Sequence, residues 1–344
     1  MGKAYKYILV ALVAILLGAA AVSLYFYGRI ERDYNDTYIK GSQNLKYHFS
    51  IIISNSSSLY WQEFMKGAHK AAEEYGAALE YHAISPMDNG DEAWRFIKIA
   101  VASRIDGIIT NALDEETYAD DIAYVTSSGL HIVTTGADTQ KSQTSYYVGT
   151  MAYEYGLSAA RLAIESAREA PKIALIVDET VFIGDINDPR DLQRTDSWII
   201  GFLEGISAYN GAELLDIKKK SSSVISAEDV VQSIFDNYPD VNAIFCMTPE
   251  DTVTAAQAVT DRNKVGEVVV TGTDLSLTTP VLKYMEKNII YGYIDRNPSE
   301  AGYRSVEALV SAVSDEFQAA YVDIDIDTIT KENINEHLAD GRDG

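Results

Sequence analysis

The sequence predicts an α/β protein made of two doubly wound parallel-sheet lobes behind an N-terminal transmembrane helix. Three observations predict it. Short apolar, β-branched runs alternate with helical patterns of ten or more residues, the mark of βαβ units and parallel sheets. The alternation starts afresh at Pro171-Lys-Ile-Ala-Leu-Ile-Val177, and two such sets exceed one comfortable sheet. An uncharged run, Tyr7 to Gly28, lies between Lys6 and Arg29.

The elements follow in order. At about 1.5 Å per residue the Tyr7–Gly28 run can cross a hydrocarbon core of roughly 30 Å. Lys3 and Lys6 precede it and the balanced Arg29-Ile-Glu-Arg-Asp33 follows, so the positive-inside rule leaves the short N-terminus in the cytoplasm and the bulk outside. Residues 1–28 are therefore a membrane anchor or, on the strength of Ala19-Ala20-Ala21, a cleaved signal segment. Residues 29–46 are polar and form a linker. Strands are expected at Phe49–Ile53, Ala78–Ala83, Gly107–Thr110, His131–Thr135, Ile173–Val177, Glu213–Ile217, Ala243–Met247, Glu267–Thr271 and Ile289–Ile294. Helices are expected at Trp61–Tyr75, Asp91–Ser103, Glu115–Ser127, Ala152–Glu169, Thr195–Tyr209, Ser226–Asn237, Asp251–Asp261 and Ser299–Ala319.

Composition narrows the function. The 344 residues carry 51 acidic and 28 basic side chains, a formal net charge of −23, which disfavours nucleic acid as a partner. The single cysteine, Cys246, sits in an apolar run and reads as a small buried hydrophobe. No G-x-S-x-G elbow, P-loop, G-x-G-x-x-G or H-E-x-x-H motif occurs, and the five histidines lack metal-ligand spacing. Neither an enzyme nor a cofactor or metal protein is expected. The Asp323-Ile-Asp-Ile-Asp327 run has Thr328 and Ile334 where a calcium loop needs Gly and Glu, so it is an alternating strand.

The segment Ser50–Gly76 is the most informative. An apolar strand empties into the polar loop Ser54–Ser58, and Tyr60 and Trp61 open the helix that follows. Open parallel sheets bind small molecules beyond the carboxyl ends of their strands.

Six markers spread along the chain carry a family resemblance: Ile53-Ser54…Tyr60-Trp61…Gly67-Ala68, Ile105-Asp-Gly-Ile-Ile-Thr-Asn111, Gly201-Phe-Leu-Glu-Gly205, Ala243-Ile-Phe-Cys246, Val270-Thr-Gly-Thr-Asp274 and Ile294-Asp-Arg-Asn-Pro298. In order and spacing the stretch from about Tyr47 to Glu336 resembles the type I periplasmic binding proteins for sugars, whose fold is shared with lactose-repressor-type sensing domains. The closing segment Val322–Thr330 is similar to the family's last strand. The resemblance implies an N-terminal lobe of residues 47–149 plus 297–319, and a C-terminal lobe of 150–296 plus 320–336. It also implies a ligand site with one cluster per strand end. The first loop supplies Ser58, Tyr60 and Trp61, and Asn111 ends the third strand. Asp138 stands where the family tends to have an Asp-Arg pair. Arg194 precedes Gly201-Phe202, Thr248 takes the place of the usual Asn, Asp274 matches, and Arg296 occupies a position that is often Gln.

Such residues suit a sugar. Flat aromatics cover its C–H faces, and ionised Asp and Arg bind paired hydroxyls through charge-assisted hydrogen bonds; Arg194 and Arg296 could equally hold the carboxylate or phosphate of an acidic sugar. Each residue also has a plainer role. Tyr60 and Trp61 can pack under the first helix, and Asp274 can cap the next one. Asn111 can turn the chain, and Arg296 can form a hinge salt bridge to Asp274. Asp138, Arg194, Thr248 and Ser58 can be solvated loop residues, while Trp94 and Trp198 suit the core better than the site. The implied protein is an extracytoplasmic solute receptor, anchored to the cell membrane or released if the segment is cleaved. It would hand a sugar-like ligand to an ABC permease or signal it to a membrane sensor kinase. A receptor for a non-sugar polyol or furanosyl signalling molecule is the alternative. A DNA-binding regulator is disfavoured, because a hydrophobic segment stands where the headpiece would be.

Overall fold

A computed structural model describes residues 45–54, 58–85, 91–111, 118–136, 146–167, 170–178, 181–184, 195–220, 227–314 and 321–335. The Tyr7–Gly28 segment, Asp138 and Arg194 lie outside the described residues. No helix among those described is long and apolar enough to cross a membrane.

From Tyr47 onward the chain runs β1 (Tyr47–Ser54), α1 (Leu59–Tyr75), β2 (Ala77–Ile84), α2 (Asp91–Ser103), β3 (Gly107–Thr110), α3 (Tyr118–Ser127), β4 (His131–Thr135) and β5 (Tyr146–Gly149). It continues through α4 (Ala152–Ser166), β6 (Lys172–Asp178), α5 (Ser197–Ser207), β7 (Glu213–Lys220), α6 (Ala227–Asn237), β8 (Ala243–Cys246) and α7 (Pro249–Asp261). The last elements are β9 (Val269–Thr273), α8 (Thr279–Glu286), β10 (Ile290–Asp295), α9 (Pro298–Val313), β11 (Tyr321–Asp323) and β12 (Asp327–Thr330).

Two six-stranded sheets result, ordered β11-β5-β4-β3-β1-β2 and β12-β10-β9-β8-β6-β7. In each, the first two strands of the set sit in reversed order, which places the doubly wound switch point between β1 and β3 and between β6 and β8. The central strands are buried on both faces because helices cover both. Along β6, Ile173, Leu175 and Val177 face α4 and α5, while Ala174 and Ile176 face α6 and α7. In the first lobe, Phe49, Ile51 and Ile53 of β1 pack against α1 and α9, and Ile52 against α2. Two-residue periodicity on a strand makes that division automatic.

Local chemistry sets the element ends near the cleft. The Ser58 hydroxyl accepts from the Trp61 backbone N–H at 3.4 Å and so caps α1, which begins two residues earlier than its aromatic pattern suggested. Gly76, with φ 73°, ends the helix in a left-handed turn that a side chain would strain. Within each lobe one pair of helices meets backbone to backbone. α1 and α9 approach at Gly67 and Gly302, and α4 and α5 at Gly156 and Gly201. Two of the sequence markers are thus contact points between helices.

Three expectations need correction. The closing segment Val322–Thr330, assigned as one strand of the C-terminal lobe, is two strands, one on each sheet. β11 pairs parallel with β5 in the first sheet, and β12 pairs antiparallel with β10 in the second, which is therefore mixed. The chain crosses between the lobes at Ile324, whose N–H donates to Gly149 O; alternation fits an edge strand on either sheet, so periodicity could not choose. β5 and α8 are two elements beyond those the sequence predicts. Cys246 is buried, as its apolar run implied.

Candidate functional site

Between the carboxyl ends of the two sheets lies a cavity of about 350 Å³, within the range of small-molecule sites. All the sequence-expected site residues that are described line it: Ser58, Tyr60, Trp61, Asn111, Thr248, Asp274 and Arg296.

Tyr60 and Trp61 occupy the first turn of α1. Trp61 belongs to the core as well as to the cavity: it packs edge-on against Phe64 at 5.2 Å and against Tyr60 at 4.8 Å. Its ring lies so close to Gly136 that a side chain there would meet it, at 3.1 Å from a Cβ. Gly136 therefore matters to the wall, a role that no local pattern marks. Ser58 and Thr248 each cap a helix, α1 and α7, as well as lining the cavity, so neither is simply a solvated loop residue.

The charged centre is the pair expected at a hinge. Asp274, with a side chain 3% exposed, takes three hydrogen bonds from Arg296. Its Oδ1 accepts from the Arg296 backbone N–H at 3.1 Å, and its Oδ2 from Nε at 2.8 Å and from Nη2. Asp274 does not cap α8, whose N-cap is Thr278. Its left-handed backbone (φ 45°), which Asp tolerates better than most residues, turns the carboxylate back toward the end of β10.

The Arg296 guanidinium lies over two tyrosine rings. Its carbon lies 4.4 Å from the centre of the Tyr60 ring and 5.1 Å from that of Tyr155. Tyr60 comes from the first lobe, and Tyr155, in the first turn of α4, from the second. Burial opposes the charge on Arg296, but the Asp274 carboxylate, with the two tyrosines, outweighs it and holds the guanidinium pKa above its ordinary value. Burial pushes both phenols up to about 12, against a smaller opposing pull from Arg296, so both stay neutral donors.

The cavity also contains residues that sequence reasoning did not select. Trp198, assigned to the core, is there: it is 2% exposed and stacks on Phe202 at 5.4 Å. It nevertheless contributes to the lining. Tyr155 and Asp196 line it too, and Asp196 caps α5 by accepting from Trp198 N at 2.9 Å. Asp196 lies two residues beyond Arg194, which is outside the described residues. Trp94 stays with packing, edge-on to Tyr124 at 4.8 Å. Among the described lining residues Asp196, Glu250 and Asp274 carry negative charge and Arg296 positive, an excess of negative charge that disfavours an anion.

Behind Thr248 lies an ion pair whose carboxylate is buried and whose lysine is partly exposed. Asp251, 0% exposed, accepts from Lys220 Nζ at 2.8 Å and from Thr248 Oγ1 at 2.7 Å. Replacing Lys220 with methionine strands that carboxylate in the core, and urea unfolding is expected to register a loss of ~3 kcal/mol; an unchanged midpoint would show that the pair is not structurally coupled.

Residues 49–316 match a family model described as a periplasmic binding protein domain. Among curated proteins, the ABC transporter periplasmic-binding protein YphF of Escherichia coli (strain K12) is 23% identical over 288 residues, 79% of this chain and 83% of that protein. The solved structure of GanP, a glucose-galactose binding protein from Geobacillus stearothermophilus, is 27% identical with a TM-score of 0.68, covering 84% of this chain and 98% of its own. A structure of the XylFII-LytSN complex contains a chain 22% identical, with a TM-score of 0.69 and coverage of 84% and 99%.

Proposed function

The chain belongs to the periplasmic binding protein family, and from that membership we propose that its cleft captures a neutral monosaccharide or a closely similar polyol outside the cytoplasmic membrane. The observation that carries this reading is the Arg296 guanidinium, tied to Asp274 and lying over a tyrosine ring of each lobe at the wall of a cavity of about 350 Å³ that Trp61 and Trp198 also line. Indole rings suit the C–H faces of a sugar, and the guanidinium N–H groups left free by Asp274, with the carboxylates, suit its hydroxyls. Because the lining residues come from both lobes, a guest seated here touches both and favours closure, the hinge motion that such folds use to exclude water and report occupancy.

We assign no turnover to the site: binding and release are its chemistry. Export rests on the uncharged run Tyr7–Gly28, retained as an anchor or cleaved. Occupancy would be passed to an ABC permease or to a membrane sensor kinase. The name of YphF supports the first, and the XylFII-LytSN complex supports assembly with a partner protein. A tethered receptor stays near a membrane partner at high effective concentration, which favours signalling if the anchor is kept.

The test is a thermal-shift screen of the exported part, from about Lys46, against neutral sugars, polyols and sugar acids. A guest present at about 100 times its dissociation constant is expected to stabilise the native state by roughly 2.7 kcal/mol. A shift from sugar acids alone would overturn the neutral-guest reading. Silence across the panel would overturn the sugar reading as a whole.

A further inference from the structure

Thr248 sits at the cavity wall with its hydroxyl already engaged. Its proton goes to Asp251 Oδ2 at 2.7 Å, and one lone pair takes the Asp251 backbone N–H at 3.2 Å. A hydroxyl has one proton and two lone pairs, so one lone pair is all that remains for a guest. The proton is held there because Asp251 is an acceptor on both oxygens: Oδ1 is fixed by Lys220 Nζ at 2.8 Å, and the residue is fully buried. Lys220, at the end of β7, is not among the lining residues.

We infer that Lys220 and Asp251 are positioning residues that set the hydrogen-bond polarity of the site from outside it: they make Thr248 an acceptor only, so the guest must present a hydroxyl as donor at that point. This inference rests on the sugar reading above. It identifies a specificity device that the lining residues alone do not reveal. A guest with a hydroxyl there is bound; one with an acceptor-only group there leaves the Thr248 lone pair facing another and is rejected.

The polarity can be inverted without changing shape. In Asp251→Asn the side-chain oxygen is held by the Lys220 ammonium, which can only donate, so the amide N–H₂ faces Thr248. Both Thr248 lone pairs are then occupied, and its proton is released toward the cavity.

The experiment measures, by titration calorimetry, D-glucose, D-galactose, D-xylose and D-arabinose, and then the monodeoxyfluoro analogues of the tightest of them. Fluorine accepts but cannot donate. In the wild type one analogue is expected to bind about tenfold or more weakly than its parent, the cost of an unmatched buried acceptor. In Asp251→Asn that same analogue is expected to equal or exceed its parent. Adding Lys220→Met, which removes the ammonium that orients the amide, is expected to bring the ratio back near one. Thr248→Val is expected to weaken the parent and erase the difference. If the parent binds and Asp251→Asn keeps the wild-type ratio, the inference falls while the sugar reading stands. If no fluorinated position is sensitive to Thr248→Val, it falls likewise. If none of the four sugars binds, the sugar reading fails and takes the inference with it.

Discussion

Arg296→Ala is expected to cost ~3 kcal/mol of stability and to abolish any ligand-induced thermal shift. The stability loss follows from what is left behind: Asp274, nearly inaccessible, would lose all side-chain donors it receives from the guanidinium, and an unpaired buried carboxylate is among the costlier defects a core can carry. The loss of binding follows from the wall, because the guanidinium lies over Tyr60 and Tyr155 and lines the cavity. Arg296→Lys separates the two effects. An ammonium restores a charge beside Asp274 and is expected to recover part of the stability. It has neither the planar face nor the fork, so the affinity should stay at least ~10-fold down. Urea unfolding without ligand and calorimetry with it measure the two quantities independently. A lysine variant that binds as the wild type does would remove Arg296 from the site and leave it as a hinge brace only.

Gly201→Val is expected to be at least as damaging to stability, for a reason unrelated to charge. A Cβ at Gly201 would overlap the backbone of Tyr153, since α4 and α5 cross with their main chains in contact. Neither backbone can yield without separating the helices, so a loss of ~3 kcal/mol or more is expected, with a fall in melting temperature of about 10 °C. The separated helices carry Tyr155 and Trp198, so the cavity wall moves as well and affinity should drop even in the fraction that folds. Gly129→Ala provides the comparison. That glycine adopts φ +82° with no atom near a built Cβ, so only backbone conformation is at stake and about 1 kcal/mol is expected. Equal losses for the two variants would show that the helix crossing has room to spare.

The contrast between these glycines shows where sequence reading stops. Gly67 and Gly201 were noticed as members of spaced markers, but nothing local states that a second helix passes over them. Only the crossing with α9 or α4 supplies the reason. Thr248 was selected because it follows a strand. That its proton is spoken for depends on Lys220, 28 positions earlier and on a different strand. Trp198 was assigned to the core because an apolar helix face predicts burial, and it is buried; a large ring can be both core and wall, and one-dimensional pattern has no term for that. Tyr155 carried no signal, since it opens a helix whose other positions are ordinary.

The sequence by itself determined the α/β class, the division of the chain into two sets of strands and helices, and most element positions. It also selected the strand ends at which the described site residues cluster. These follow from period, from glycine and capping residues, and from the rule that parallel sheets open their binding edge at the carboxyl ends, all of which act over a few residues. Only the tertiary structure decided that the last segment divides between the sheets, that Arg296 lies over one ring from each lobe, and that a lysine–aspartate pair stands behind a threonine of the wall. Those outcomes depend on which distant side chains share a few ångströms of low-dielectric space, where a hydrogen bond or an ion pair is strong enough to fix a neighbour's geometry.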